Sequence, residues 1–158
     1  MAKTTLTAEP GQLDVTIVTT FNAPLKKVWE AYTDPKLLPE WWGPAKYTTD
    51  VAEMDVRDGG KWHFIQVDGD DKHSFHGVYH DVTPLERIVQ TFEYDELGEK
   101  GHVCLDRTTY REKDGVTTVT TINTFLTQED RDGMINTGME GGMREGIDRL
   151  AKLIGEKE

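Results

Sequence analysis

Five histidines (His63, His73, His76, His80 and His102) and a lone Cys104 are the side chains of this sequence best suited to hold a metal ion or attack a substrate. Their spacing serves neither task. His73 and His76 are an odd number apart, so in a strand they point to opposite faces. His76 and His80 share a face but stand about 13 Å apart along it, too far for neighbouring ligands on one ion. Paired cysteines and a helical His-x-x-x-His are absent. No Gly-x-Ser-x-Gly turn presents a nucleophile, and Cys104 has no flanking base, so it reads as a small buried hydrophobe. Glu53, Asp55, Asp106, His63, His76 and Tyr110 supply acid–base chemistry only where two of them converge. The spacing shows no such convergence, and no glycine-rich phosphate cradle occurs. No catalytic residue, metal ligand or cofactor is assigned.

The aromatic residues make a better pattern. Trp62 and Phe64 share one face of a strand, as do Phe75, Gly77 and Tyr79 on the next. Phe92 and Tyr94 pair on another. Rings on successive strands either fill a core or enclose a chamber with a few polar handles. Either face of each strand is free, at this level, to turn inward.

Those strands need positioning elements. Leu13, Val15 and Ile17 alternate with polar residues, which predicts a first strand over 13–21. Pro24 opens a short helix with Leu25, Val28, Trp29 and Tyr32 on one stripe, and Asp34-Pro35 opens a second with Leu37, Leu38, Trp41 and Trp42, ended by Gly43-Pro44. From residue 47 to 126 the period becomes two. Asp58-Gly59, Asp68-Gly69 and Asp114-Gly115 mark tight turns, and the expected strands are 46–56, 60–67, 73–82, 87–94, 102–112 and 116–126. Short connections make neighbours antiparallel, a six-stranded meander joined at one edge by the first strand.

Residues 127–155 predict one long amphipathic helix. Ile135, Met139, Gly142, Met143, Gly146, Ile147, Leu150, Leu153 and Ile154 fall within an arc of roughly 140°. Thr127-Gln128-Glu129-Asp130 resembles a capping box at its start. Gly133, Gly138, Gly141, Gly142 and Gly146 interrupt it, each costing about 1 kcal/mol against alanine in a helix interior. The missing side chains either let the helix lie very close to its support or leave volume open beneath it. Met139 and Met143 suit the lining of such a volume.

Length and charge bound the rest. The chain has 158 residues, with 18 Lys and Arg against 29 Asp and Glu, a net charge of −11. That fits one domain over 12–158 behind a flexible polar leader, 1–11. It opposes nucleic acid and anionic membrane, whose contacts need clustered cations. No signal-like or membrane-spanning apolar run occurs, so the expected location is the cytoplasm.

Several stretches carry a family likeness. Phe21-Asn22-Ala23-Pro24, Val28-Trp29-Glu30-Ala31, Thr33-Asp34-Pro35 and Glu40-Trp41-Trp42-Gly43-Pro44 resemble the opening of bacterial START-like (SRPBCC) proteins. The branch is the one named for activators of the ninety-kilodalton heat-shock protein's ATPase. Gly59-Gly60-Lys61-Trp62, Phe75-His76-Gly77-Val78-Tyr79, Pro84, Glu86-Arg87-Ile88-Val89 and Thr124-Phe125 continue the likeness. Arg131-Asp132-Gly133-Met134, Thr137-Gly138-Met139-Glu140-Gly141-Gly142 and Asp148-Arg149-Leu150 complete it.

The resemblance implies an α+β helix-grip fold: a curved seven-stranded antiparallel sheet around a long C-terminal helix, with a hydrophobic cavity between. Relatives include lipid and polyketide binders, cyclases, toxin-sequestering proteins and co-chaperones, so fold alone does not assign function. Relatives often carry Trp after the glycine of the final helix; Met143 stands there in this chain. The leading expectation is a non-enzymatic binder of a small hydrophobic or aromatic ligand. Trp42, Trp62, Phe64, Phe75, Tyr79, Phe92, Tyr110, Ile135, Met139 and Met143 would line its cavity, with His76 and Tyr110 as polar anchors. The alternatives are a co-chaperone-type module with a chaperone partner and a cyclase- or hydrolase-type enzyme using the same cavity.

Overall fold

Asp114-Gly115 shows how the turns set the architecture. Both residues take positive φ, 53° and 78°, the backbone that joins two antiparallel strands with the right twist. The structure is a computed structural model that describes residues 2–156. In chain order its elements are β1 (Lys3–Thr7), β2 (Asp14–Phe21), α1 (Leu25–Thr33), a 3₁₀ turn (Leu38–Glu40), β3 (Thr48–Met54) and β4 (Lys61–Asp68). There follow β5 (Asp71–Thr83), β6 (Arg87–Tyr94), β7 (Val103–Lys113), β8 (Val116–Thr124), α2 (Gln128–Asn136) and α3 (Met139–Leu153). A second 3₁₀ turn spans Asp95–Leu97.

The strands form one antiparallel sheet in the order β1-β2-β8-β7-β6-β5-β4-β3. Its meander and the pairing of β2 onto β8 follow the alternation pattern, but the strand count is eight rather than seven, and β1 takes the edge expected for β2. The extra strand lies in the supposed flexible leader. Lys3 to Thr7 pair with Thr20 to Thr16, and Leu6 packs with the buried cluster of Val15, Cys104 and Phe125. Arg144 Nη1 donates to Thr4 O at 2.9 Å, tying β1 to α3. Five residues with one apolar side chain carry too little alternation to announce a strand; the neighbouring β2 edge makes it one.

Two helical expectations are corrected. The second short helix is a single 3₁₀ turn, because Pro35 and Pro39 remove donors from a stretch too short to propagate. The long final helix is two. Thr127 does cap its start, accepting from Asp130 N at 3.0 Å. The chain then breaks at Thr137-Gly138, where Gly138 takes φ 83° and the Thr137 hydroxyl donates back to Met134 O at 2.6 Å.

The sheet curves around α3, which buries Gly146, Ile147, Leu150 and Ala151. These join Phe21, Val28, Trp41, Trp62, Tyr110 and Val119 in the main core. Gly146 explains part of the glycine content. A Cβ there would lie 2.9 Å from Trp41 O and 3.2 Å from Gly43 N, so the helix rests directly on the backbone of residues 41–43. Arg149 Nη1 fixes that seat by donating to Gly43 O at 3.1 Å.

Candidate functional site

Alternation places one side of each strand on the concave face. Trp62, Phe64 and Gln66 come inward from β4, Phe75, Gly77 and Tyr79 from β5, and Ile88, Gln90 and Phe92 from β6. Where α3 does not fill the concavity, a cavity of about 510 Å³ remains. Pockets of this size hold small organic molecules. The lining reaches the surface at the exposed Thr137 and Gly138, the break between α2 and α3.

One wall is aromatic. Trp42 meets Phe64 and Phe75 edge-on, each at 5.2 Å, and Trp62 leans on Phe64 at 4.8 Å and Phe92 at 5.6 Å. Trp62 is 1 % exposed, and its Nε1 donates to Thr91 O at 3.1 Å. Tyr79 closes this wall, and burial pushes its hydroxyl pKa well up, so it stays neutral. The helical wall is Met139, Gly142, Met143 and Gly146. A Cβ on Gly142 would touch only the Pro44 ring, at 3.1 Å, so this glycine leaves space at the rim.

The third wall is polar. Cross-strand register sets Gln90 opposite Asp106 and Asp106 opposite Asn123, a row across β6, β7 and β8. Asn123 Nδ2 donates to Asp106 Oδ1 at 2.6 Å, and the Cys104 thiol donates to the same oxygen at 3.4 Å. Thr108 and Thr121 share a hydroxyl contact of 3.0 Å in the next row. Burial pushes the Asp106 pKa up from 3.8 to about 6, although the Asn123 and Cys104 donors favour the carboxylate. The residual surface of Asp106 borders the cavity. Burial, and then the neighbouring Asp106, hold the Cys104 thiol well above its usual pKa.

Two outcomes follow from this wall. A raised carboxyl pKa favours the native state at low pH, and that stability is lost as pH rises through about 6. Asp106→Asn keeps an acceptor for Asn123 and removes the buried charge. It is expected to stabilise the chain by about 2 kcal/mol above pH 6. The gain should shrink as pH falls and vanish below about 4, as read by urea unfolding at several pH values. Cys104 should resist a thiol reagent such as iodoacetamide at pH 8, with less than about a tenth of chains labelled until denaturant is added. Rapid native labelling would contradict its burial.

The positions expected from the sequence divide. Trp42, Trp62, Phe64, Phe75, Tyr79, Phe92, Met139 and Met143 border the cavity. Ile135 instead packs on the Val15–Cys104–Phe125 cluster, because the chain break turns α2 away from the α3 axis. Tyr110 shares the inner face of β7 but sits beneath α1, edge-on to Trp29 at 5.0 Å and Tyr32 at 5.4 Å. It borders no part of the cavity, so it is not placed as an anchor. His76 follows the inward Phe75 and therefore points outward, its Nδ1 2.6 Å from Asp95 Oδ1 and its Nε2 3.5 Å from Glu93 Oε1. The acid–base candidates divide: Asp106 is in the cavity and Tyr110 under α1, while Glu53, His63 and His76 gather around a separate hollow on the convex face. No group of His, Cys, Asp and Glu with metal-holding geometry occurs among the described residues. Gln90 and Asn123 also line the cavity, although the sequence pattern does not single them out. Their signal was inner-face parity with Phe92 and Phe125, hidden because polar residues on a buried face look like register noise.

A curved antiparallel sheet gripping a C-terminal helix over an open interior defines a START-like helix-grip protein. Residues 22–155 match the family described as Activator of Hsp90 ATPase homolog 1-like protein, and the chain belongs to it. No curated protein sequence matches the chain. Solved structures share the fold: protein Ms6760 from Mycobacterium smegmatis is 23% identical with TM-score 0.86, covering 96% of each chain. A Rhodobacter sphaeroides protein is 19% identical with TM-score 0.87, covering 97% of this chain and 99% of that one. DynU16, from the dynemicin biosynthetic locus, is 21% identical with TM-score 0.69, covering 91% of this chain and 48% of its own.

Proposed function

We propose that this chain binds a small hydrophobic or aromatic molecule in the space between α3 and the sheet. The carrying observation is the cavity of about 510 Å³, walled by Trp42, Trp62, Phe64, Phe75, Tyr79 and Phe92 and roofed by a glycine- and methionine-bearing helix. Packed interiors leave few voids larger than a water molecule, so an opening of this size has a cost that a guest would offset. Apolar burial at about 25 cal/mol per Å² supplies the affinity.

Thermal unfolding against a panel of one- to four-ring aromatic compounds tests the reading. A ligand held at a hundred times its Kd should raise Tm by about 5–10 °C. A panel in which no compound moves Tm would overturn it. The buried, unpaired Cys104 suits the reducing cytoplasm, where we place the protein. Membership of a family described by Hsp90 ATPase activation supports a co-chaperone as the second reading. Recovery of the chaperone with the tagged chain from lysate, unaffected by a cavity-filling variant, would favour it over the first. An enzymatic use of the cavity has one acid, Asp106, to draw on.

A further inference from the structure

We propose that the preferred ligands of this cavity carry a protonated amine, docked on the Asp106 carboxylate at the Gln90–Asp106–Asn123 row, with their apolar body against the aromatic wall. The inference rests on the binding reading above and specifies its ligand class.

Four observations converge. Among the described residues, Asp106 is the only acidic residue lining the cavity, and no Lys, Arg or His lines it. Both side-chain donors, Asn123 and Cys104, go to Oδ1, and no described residue donates to Oδ2. The Gln90 side chain beside it likewise has no protein hydrogen bond among the described residues, leaving an amide oxygen for a second N–H. Trp62, Phe64, Phe75 and Phe92 line the same cavity, and aromatic rings attract a cation as well as an apolar ring. A desolvated carboxylate without a counter-charge is costly in an empty pocket, and an incoming ammonium removes that cost. The chain's net charge of −11 further enriches cations at its surface and repels anions.

The other groups lining the cavity leave Asp106 alone in this role. From its own strand come Cys104 and Thr108, from β6 Gln90 and Phe92, and from β8 Thr121 and Asn123. The helices contribute Met134, Met139 and Met143, and β2 contributes Ile17. The nearest inward cation of α2, Arg131, is 3 % exposed but engaged elsewhere, with Nη1 donating to Glu9 O at 2.7 Å and Asp14 O at 3.2 Å. His102 lies against Asp130, at 2.9 Å, and Glu99, at 3.4 Å.

Three isosteric probes test the assignment: 2-naphthylmethylamine, 2-naphthylmethanol and 2-naphthoate, titrated calorimetrically in 150 mM salt at pH 7.5 and pH 5. The amine is expected to bind about ten- to a hundredfold tighter than the alcohol at pH 7.5, and the naphthoate more weakly than either. That preference should fall by about tenfold at pH 5, where Asp106 takes up a proton. In Asp106→Asn it should disappear at both pH values, amine and alcohol then binding alike. Equal binding of amine and alcohol overturns this inference and leaves the aromatic cavity standing, as does an amine preference that survives in Asp106→Asn. Failure of all three probes, the neutral alcohol included, removes the binding reading itself. The pH arm uses the unaltered chain, so the result does not depend on the variant.

Discussion

Gly77→Ala is expected to lower stability by about 4 kcal/mol and Tm by about 8–16 °C. A Cβ at this position would lie 1.9 Å from Thr91 O and 2.5 Å from Trp62 Nε1. Neither neighbour is a flexible chain end. Thr91 O belongs to the adjacent strand, and Trp62 is the largest fully buried side chain of the protein. The methyl group must either push β6 away from β5 or expel the indole, and expulsion also loses the Trp62–Thr91 hydrogen bond. Glycine is therefore required in mid-strand by the indole laid across it. Urea unfolding followed by tryptophan fluorescence would measure the loss and report the ring's environment. A Tm within 2 °C of the parent would show that the indole does not lie across Gly77.

The second large effect is on binding. Met143 projects into the cavity from α3, and tryptophan there would place a rigid bicyclic ring where a flexible thioether now sits. Met143→Trp should weaken a three-ring aromatic probe by about five- to a hundredfold, the equivalent of 1–3 kcal/mol of overpacking. A single-ring probe should bind nearly as before, since the remaining volume accommodates it. The size dependence separates loss of space from loss of fold, and circular dichroism should be unchanged. Equal affinity of parent and variant for the three-ring probe would place its site outside the space beneath α3.

Much of the architecture is legible in the sequence. The strand limits from Lys61 to Thr124 follow alternation and Asp-Gly turns closely, because side-chain parity and positive-φ turn residues act over a few neighbouring positions. The helical stripe over Gly146, Ile147 and Leu150 was legible for the same reason. What failed were features set by partners distant in the chain. Lys3–Thr7 becomes a strand only because β2 offers an edge and Arg144 holds Thr4. The final helix breaks at Gly138, although the apolar arc runs on through it without interruption. His76 and Tyr110 were plausible anchors by residue type, and parity in one case and the cover of α1 in the other take them out of the cavity.

Residue order alone established the antiparallel meander, the gripped C-terminal helix, the net acidic character and the aromatic composition of the strands. These depend on local periodicity and on composition, which need no long-range contact. Tertiary structure decided that the concave face stays open by about 510 Å³, and that Asp106, Asn123 and Gln90 form one polar row in it. Volume is the difference between how much space the curved sheet encloses and how much α3 fills. The desolvation of Asp106 is likewise a sum over strands and helices far apart in the chain, so neither quantity exists until those elements meet.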